Sequence, residues 1–204
     1  MQLVLEVIDP DTECVRSQVS LEVSDVAELN VLLGTENFDP HLVYSLSQEQ
    51  IVRLAKHANC AVGLIAIPAR LRGHRESDDL PYQTHTNREL LLMLEGTKPL
   101  ASFVGQHPID PDVEDIPERL FDPYVSAGRL LKHEFVEARE VAPGVRLRRV
   151  LYALPSEEWR IKAYTLMLET AEKSGWNEGF ERMEGALLGY QDWQNDAHIR
   201  REFG

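Results

Sequence analysis

Apolar positions recur along this chain with two different periods. Leu3-Val4-Leu5-Glu6-Val7-Ile8 is a β-prone run closed by the turn signal Asp9-Pro10-Asp11. Val19-Ser20-Leu21-Glu22-Val23 alternates with period two, as a half-buried strand does. The two runs predict an N-terminal antiparallel pair with one wet face, to which Glu6 and Glu22 belong. The period then lengthens. Ser47-Gln48-Glu49-Gln50 fits a capping box, and Ile51, Leu54, Ala55 and Ala58 follow at helical spacing. A helix is predicted over 48–58. Cys60 to Pro68 is short, apolar and closed by a proline, the pattern of a buried central strand.

Residues 69–84 carry few apolar side chains and read as a long loop. Thr86-Asn87-Arg88-Glu89 repeats the capping-box pattern ahead of Leu90–Leu94, and Gly96 is placed to end that helix. Leu100 to Val104 reads as a short strand. Residues 106–123 hold four prolines and six acids and read as an exposed connector.

The strongest β signal lies at 130–154, where two β-prone runs flank Ala142-Pro143-Gly144. A register that sets Val141 against Val145 also sets Glu140 against Arg146, Glu137 against Arg149, Val136 against Val150 and Phe135 against Leu151. Each such cross-strand pair contributes about 0.2–1 kcal/mol, so one register that satisfies several together favours the hairpin. The rest is helical. Ser156 is placed as an N-cap with Glu157 and Glu158 behind it, and Trp159, Ala163, Leu166, Met167 and Thr170 form the predicted inward stripe. Asn177 is placed to cap a second helix carrying Phe180, Met183, Leu187 and Leu188. A last helix is predicted over 192–203, docked through Trp193. The fold class that follows is α+β: one domain with antiparallel hairpins at about 3–23 and 130–154 packed by helices, a helical C-terminal third, and the connector at 106–123 as its one candidate seam.

Composition narrows the function classes. The 204 residues hold 34 acids and 21 bases, a net charge of −13. Residues 1–50 alone hold ten acids and one base, while residues 51–100 hold five acids and seven bases. An acidic chain without a basic stripe of interleaved aromatics argues against nucleic-acid binding. No basic amphipathic helix and no apolar run near 20 residues argues against a membrane, and the absence of a basic leader points to a cytoplasmic protein. Cys14 and Cys60 lack metal-ligand spacing and read as reduced thiols. No dinucleotide, P-loop, nucleophile-elbow or zinc-protease motif occurs, so no cofactor and no metal are expected.

Four groups could carry chemistry. Arg70, Arg72 and Arg75 surround Gly73 with His74, and arginine forks suit carboxylate or phosphate; their simplest alternative is pairing with Glu76, Asp78 and Asp79. His85 and Arg88 sit at a predicted helix start, where backbone amides favour anions. His133 and Glu137 would meet on a helix, but on a strand they lie about 13 Å apart, too far for joint ligation. Tyr190, Asp192, Trp193, Asn195, Asp196 and His198 mix aromatic and polar groups on the last helix. Two functions are compatible with these residues. One is a cytosolic interaction or regulatory protein that recognises a basic partner through its acidic N-terminal β region. The other is an enzyme acting on a small anionic ligand, held by Arg70, Arg72, Arg75 and Arg88 with His74 or His85 transferring protons. The residues alone do not choose between enzyme and binding protein, and they leave the oligomeric state open.

Overall fold

Strand β1 (Gln2–Ile8) runs through the middle of a four-stranded antiparallel sheet ordered β2-β1-β4-β3, with β2 at Val15–Glu22, β3 at Val43–Leu46 and β4 at Ala69–Gly73. The computed structural model describes residues 1–57 and 68–204. Within them the chain is mixed α+β and divides into two units, Met1–Leu91 and Leu92–Gly204, each with its own antiparallel sheet. The strand expected over Cys60–Pro68 lies outside the described residues except for Pro68.

In the first unit, Leu3, Leu5, Leu21, Ala69 and Leu71 share one face of the sheet. Helices α1 (Val26–Leu33) and α2 (Gln48–His57) close that face with Leu29, Leu32, Ile51 and Leu54. Burying side chains of this size contributes about 1.5–3 kcal/mol each. Both helix starts follow local chemistry. Asp25 accepts from the amides of Ala27 and Glu28 at 2.9 and 3.2 Å. The predicted capping box forms, with Ser47 N–H donating to Gln50 Oε1 at 2.8 Å and Gln50 N–H to Ser47 Oγ at 3.3 Å.

Three expectations for this unit are corrected. Glu6 is not on a wet face: β1 has a strand on either side and is covered on both faces, leaving Glu6 4% exposed. Residues 69–84 are not one long loop, since Ala69–Gly73 forms β4 and a single 3-10 turn follows at Glu76–Asp79. The alternation of Ala69 and Leu71 with Arg70 and Arg72 is a strand pattern whose polar half is charged and yet buried at Arg72. Helix α3 (Glu89–Leu94) starts at Glu89, later than a cap at Thr86 would set it, because Asn87 turns the chain with φ of +60°. Cys14 is a buried free thiol, pushed up by that burial.

The second unit is built on a three-stranded sheet ordered β5-β7-β6, with β5 at Leu100–His107, β6 at Leu131–Ala142 and β7 at Val145–Ala153. The central strand β7 buries Val150 to Ala153 completely. Helix α4 (Glu118–Ser126) begins inside the stretch expected to be an exposed connector, and Ile116 and Phe121 there are buried. Phe121 stacks on Tyr152 with ring centres 4.3 Å apart. The opposite face packs under α5 (Trp159–Ser174), where Leu100, Leu151 and Ala153 meet Ile161, Tyr164 and Met167. Helices α6 (Glu178–Leu187) and α7 (Asp192–Glu202) complete the unit, and Asn177 caps α6 as expected, accepting from Gly179 N–H at 2.9 Å.

The hairpin is confirmed and its register corrected. Pro143-Gly144 forms a two-residue turn with Gly144 at φ +73°, so Ala142 rather than Val141 faces Val145. Glu140 faces Arg146 as expected. A second irregularity between Val136 and Glu140 then sets Phe135 against Arg149 and Val136 against Arg148, in place of Leu151 and Val150. The Glu137–Arg149 ion pair survives this shift as a diagonal contact at 2.8 Å. Three helix assignments also change. Ser156 lies in a 3-10 turn and Glu158 holds the N-cap position of α5. The inward stripe of α5 is Ile161, Tyr164, Met167 and Ala171, while Trp159 and Leu166 are exposed. Helix α7 buries Asn195 and Ile199 and leaves Trp193 48% exposed, so it does not dock through Trp193.

Helices α6 and α7 approach closely at Gly185, where an added Cβ would fall on Asn195 Oδ1. Glycine to alanine inside a helix ordinarily stabilises by about 1 kcal/mol. Here Gly185→Ala is expected to destabilise by about 1–3 kcal/mol through overpacking. Urea unfolding followed by tryptophan fluorescence reads this unit alone, because Trp159, Trp176 and Trp193 all lie in it. A stabilised variant would contradict the close approach.

Candidate functional site

The arginines singled out by sequence fall on different elements of the first unit. Arg70 and Arg72 alternate on β4 and share a face of the sheet with Glu6. The Arg72 guanidinium is fully engaged. Its Nε donates to Glu6 Oε1 at 2.6 Å, and its two terminal nitrogens donate to Asp78 at 2.7 and 2.9 Å. Gln18 Nε2 adds a bond to Glu6 at 3.2 Å, and the Arg75 amide adds one to Asp78 at 2.8 Å. Burial would raise the Asp78 carboxyl, but these donors outweigh it and hold the group below the ordinary aspartate range. Any anion reaching Arg72 would have to displace two carboxylates from a side chain that is 4% exposed.

Other members of the group have partners of their own. His74 pairs with Asp79 at 3.2 Å, and Arg75 is exposed. Arg88 Nε donates to the Val15 carbonyl at 3.1 Å, tying the turn before α3 to β2, and Arg88 N–H donates to the His85 carbonyl at 2.9 Å. The pairing alternative therefore accounts for Arg72 and His74, with Arg72 buried rather than at the surface where such pairs were expected.

The acids of residues 1–50 divide differently. Glu6 and Asp9 are buried and paired, with Arg72 and Arg16 respectively. The other eight are exposed: Asp11, Glu13, Glu22, Asp25, Glu28, Glu36, Asp39 and Glu49. Several flank α1. Glu22 and Asp25 precede it, Glu28 lies in its first turn, and the Asn30 side chain holds the Glu36 carbonyl at 2.9 Å. Gln50 Nε2 donates to the Leu32 carbonyl at 3.0 Å, bringing the start of α2, with Glu49, beside the end of α1. Val31 on α1 is 74% exposed among these acids. Over the whole first unit, ten exposed carboxylates face three exposed cations, Arg16, Arg53 and Arg75, among the described residues. In the second unit the same comparison gives thirteen to eight.

Two features of the second unit had no sequence expectation. On one face of its sheet Arg148 bridges Glu118 and Glu134, with four donor distances of 2.8–2.9 Å. Lys132 joins Glu118 at 2.6 Å and Asp122 at 2.8 Å. The hydrogen bonds from Arg148, opposed by burial and helped by Lys132, bring the Glu118 carboxyl down to about 2. On the other side a cleft of about 500 Å³ opens between the start of β6, at Leu131–His133, and the outer side of α5, at Glu158, Ile161, Lys162, Thr165, Leu166 and Glu169. That volume lies in the range of small-ligand and side-chain pockets. The sequence signal for it was present as the charged residues of α5 at spacings of three and four.

His133 and Glu137 are on a strand, as the predicted hairpin requires, and Glu137 is held by Arg149. In the C-terminal group His198 Nε2 meets Glu181 at 2.8 Å and Asp196 meets Arg182 at 2.5 Å, so Asp196 and His198 engage different partners on α6. Among the described residues no three His, Cys, Asp or Glu side chains are placed to hold a metal ion. No described helix is long and apolar enough to cross a membrane. In comparisons with known proteins, no family model, no curated protein and no solved structure matches this chain.

Proposed function

We propose that this is an interaction protein whose first unit receives a basic partner on the acidic surface around α1. The observation that carries the reading is the ratio of ten exposed carboxylates to three exposed cations on that unit, among the described residues. The sequence placed the acids near the amino end; burial and pairing then act unequally on the two signs. Arg72 leaves the surface, whereas eight of the first ten acids stay on it. A surface with an excess of one sign speeds encounter with an oppositely charged partner and disfavours like-charged ones. Val31, exposed within this surface, supplies an apolar contact beside the charges.

The test uses the full chain and octalysine as the probe. Glu22, Glu36 and Glu49 exchanged together for glutamine are expected to weaken binding about tenfold, at about 0.5 kcal/mol per exposed charge. Glu95, Glu140 and Glu202 in the second unit, exchanged the same way, alter the net charge equally. These are expected to change affinity less than about twofold. Equal losses in the two triple variants would mean that total charge, and not the α1 surface, governs binding.

A further inference from the structure

The outer side of α5 carries a stripe with an internal symmetry. Glu158, Lys162, Leu166, Glu169 and Lys173 follow one another at spacings of four, four, three and four residues. Those spacings place them on a single helix face, over about 22 Å of length. All five are exposed, Leu166 to 63%. None of the four charged members has an opposite charge within 4 Å among the described residues. Along the helix the order is acid, base, leucine, acid, base. Turned end for end, it is base, acid, leucine, base, acid. An antiparallel copy of the stripe therefore sets Glu158 against Lys173 and Lys162 against Glu169, about an axis between residues 165 and 166 that leaves Leu166 beside its centre.

We propose that a second copy of this chain docks on this face, α5 against α5 about a two-fold axis beside Leu166. Closed two-fold pairing requires a patch that complements itself, and this stripe does so in both of its charged pairs, with Leu166 next to the axis. A solvated helix face also carries Glu and Lys four apart, each pair contributing only about 0.3–0.5 kcal/mol. Such a face has no need of a leucine at its centre, nor of a cleft beside it. Here Leu166 stands at the rim of the 500 Å³ cleft, whose apolar lining of Leu131 and Ile161 can receive the leucine of the second copy. The cleft's other wall is the start of β6, an outer strand of its sheet, with regular pairing to β7 from Leu131 to Val136. Its outer edge borders the space the second copy would fill. This surface belongs to the second unit and α1 to the first, and its test does not depend on the reading of α1.

Sedimentation velocity on the full chain decides the matter. The wild type is expected to move to twice the monomer mass by about 100 µM. Lys162→Glu alone, or Glu169→Lys alone, places like charges at two symmetry-related contacts and is expected to raise the dimer Kd at least about tenfold. The double exchange, Lys162→Glu with Glu169→Lys, recreates opposite pairs with their signs swapped and is expected to recover most of that loss. Circular dichroism on the same samples confirms that the single variants are folded. A wild type that stays monomeric overturns the proposal and gives the cleft to another occupant. It is equally overturned by single variants that dimerise like the wild type, or by a double variant no better than the singles.

Discussion

Replacing Arg72 by alanine is expected to destabilise the first unit by about 3–5 kcal/mol, the usual loss when one member of a buried ion group is removed. The size follows from burial. The side chains of Arg72, Glu6 and Asp78 are 4%, 6% and 10% exposed, so water cannot take over the guanidinium's role toward the two carboxylates. Glu6 suffers most, because it sits on the interior strand β1 and, among the described residues, is left with the Gln18 hydrogen bond at 3.2 Å. Exchanging Glu6→Gln together with Arg72→Met should cost less than the two single losses combined, since the uncompensated charge disappears with its partner. Amide hydrogen exchange in β1 and β4 measures the effect, as all three tryptophans report on the other unit. A loss under about 1 kcal/mol in Arg72→Ala would mean that the group is hydrated and merely superficial.

The second unit should lose stability over a defined acid window, and Arg148→Ala should shrink that loss. Glu118 titrates at about 2 in the folded chain against an ordinary 4.5. A depressed carboxyl stabilises the fold fully above its unfolded value, and that stability is lost as pH falls through the folded value. The window is therefore pH 4.5 down to about 2. Glu134 is lowered as well, chiefly by its hydrogen bonds from Arg148. Removing Arg148 sends both carboxyls back toward the ordinary range, with Lys132 still beside Glu118. At neutral pH Arg148→Ala is expected to cost about 1–3 kcal/mol, less than Arg72→Ala, because Glu118 and Glu134 are 28% and 43% exposed and can rehydrate. Urea unfolding by tryptophan fluorescence at a series of pH values tests both statements. An unchanged slope between pH 4.5 and 2 in the variant would show that other carboxyls govern the acid loss.

Local signals in the sequence succeeded at some helix starts and failed at others, Thr86 and Ser156 among the failures. The capping pairs at Ser47–Gln50 and Asn177–Gly179 formed because each involves residues two or three apart. The β6–β7 hairpin was legible for the same reason, with only its register altered by the short Pro143-Gly144 turn and the irregularity after Val136. Strand β4 was hidden because its alternation is written in arginine, and Arg72 is tolerated inside only through Glu6, 66 residues away. Helix α1 and strand β3 received no prediction, although Asp25 three residues before Glu28 was a start signal in plain view. On α5 two faces have helical spacing, one through Leu166 and one through Tyr164, and only the sheet beneath decides which is buried. The acidic surface was legible as a count of charges, whereas the commitment of Arg72 was not, since it depends on long-range pairing.

Whether the first unit is an electrostatic docking surface can be read from one salt titration. The affinity of octalysine for the full chain, followed from about 50 mM to about 1 M salt, is expected to fall about a hundredfold or more, because exposed charges are screened over a few ångströms at the upper end. An affinity that holds steady to about 1 M would contradict recognition by the exposed carboxylates around α1.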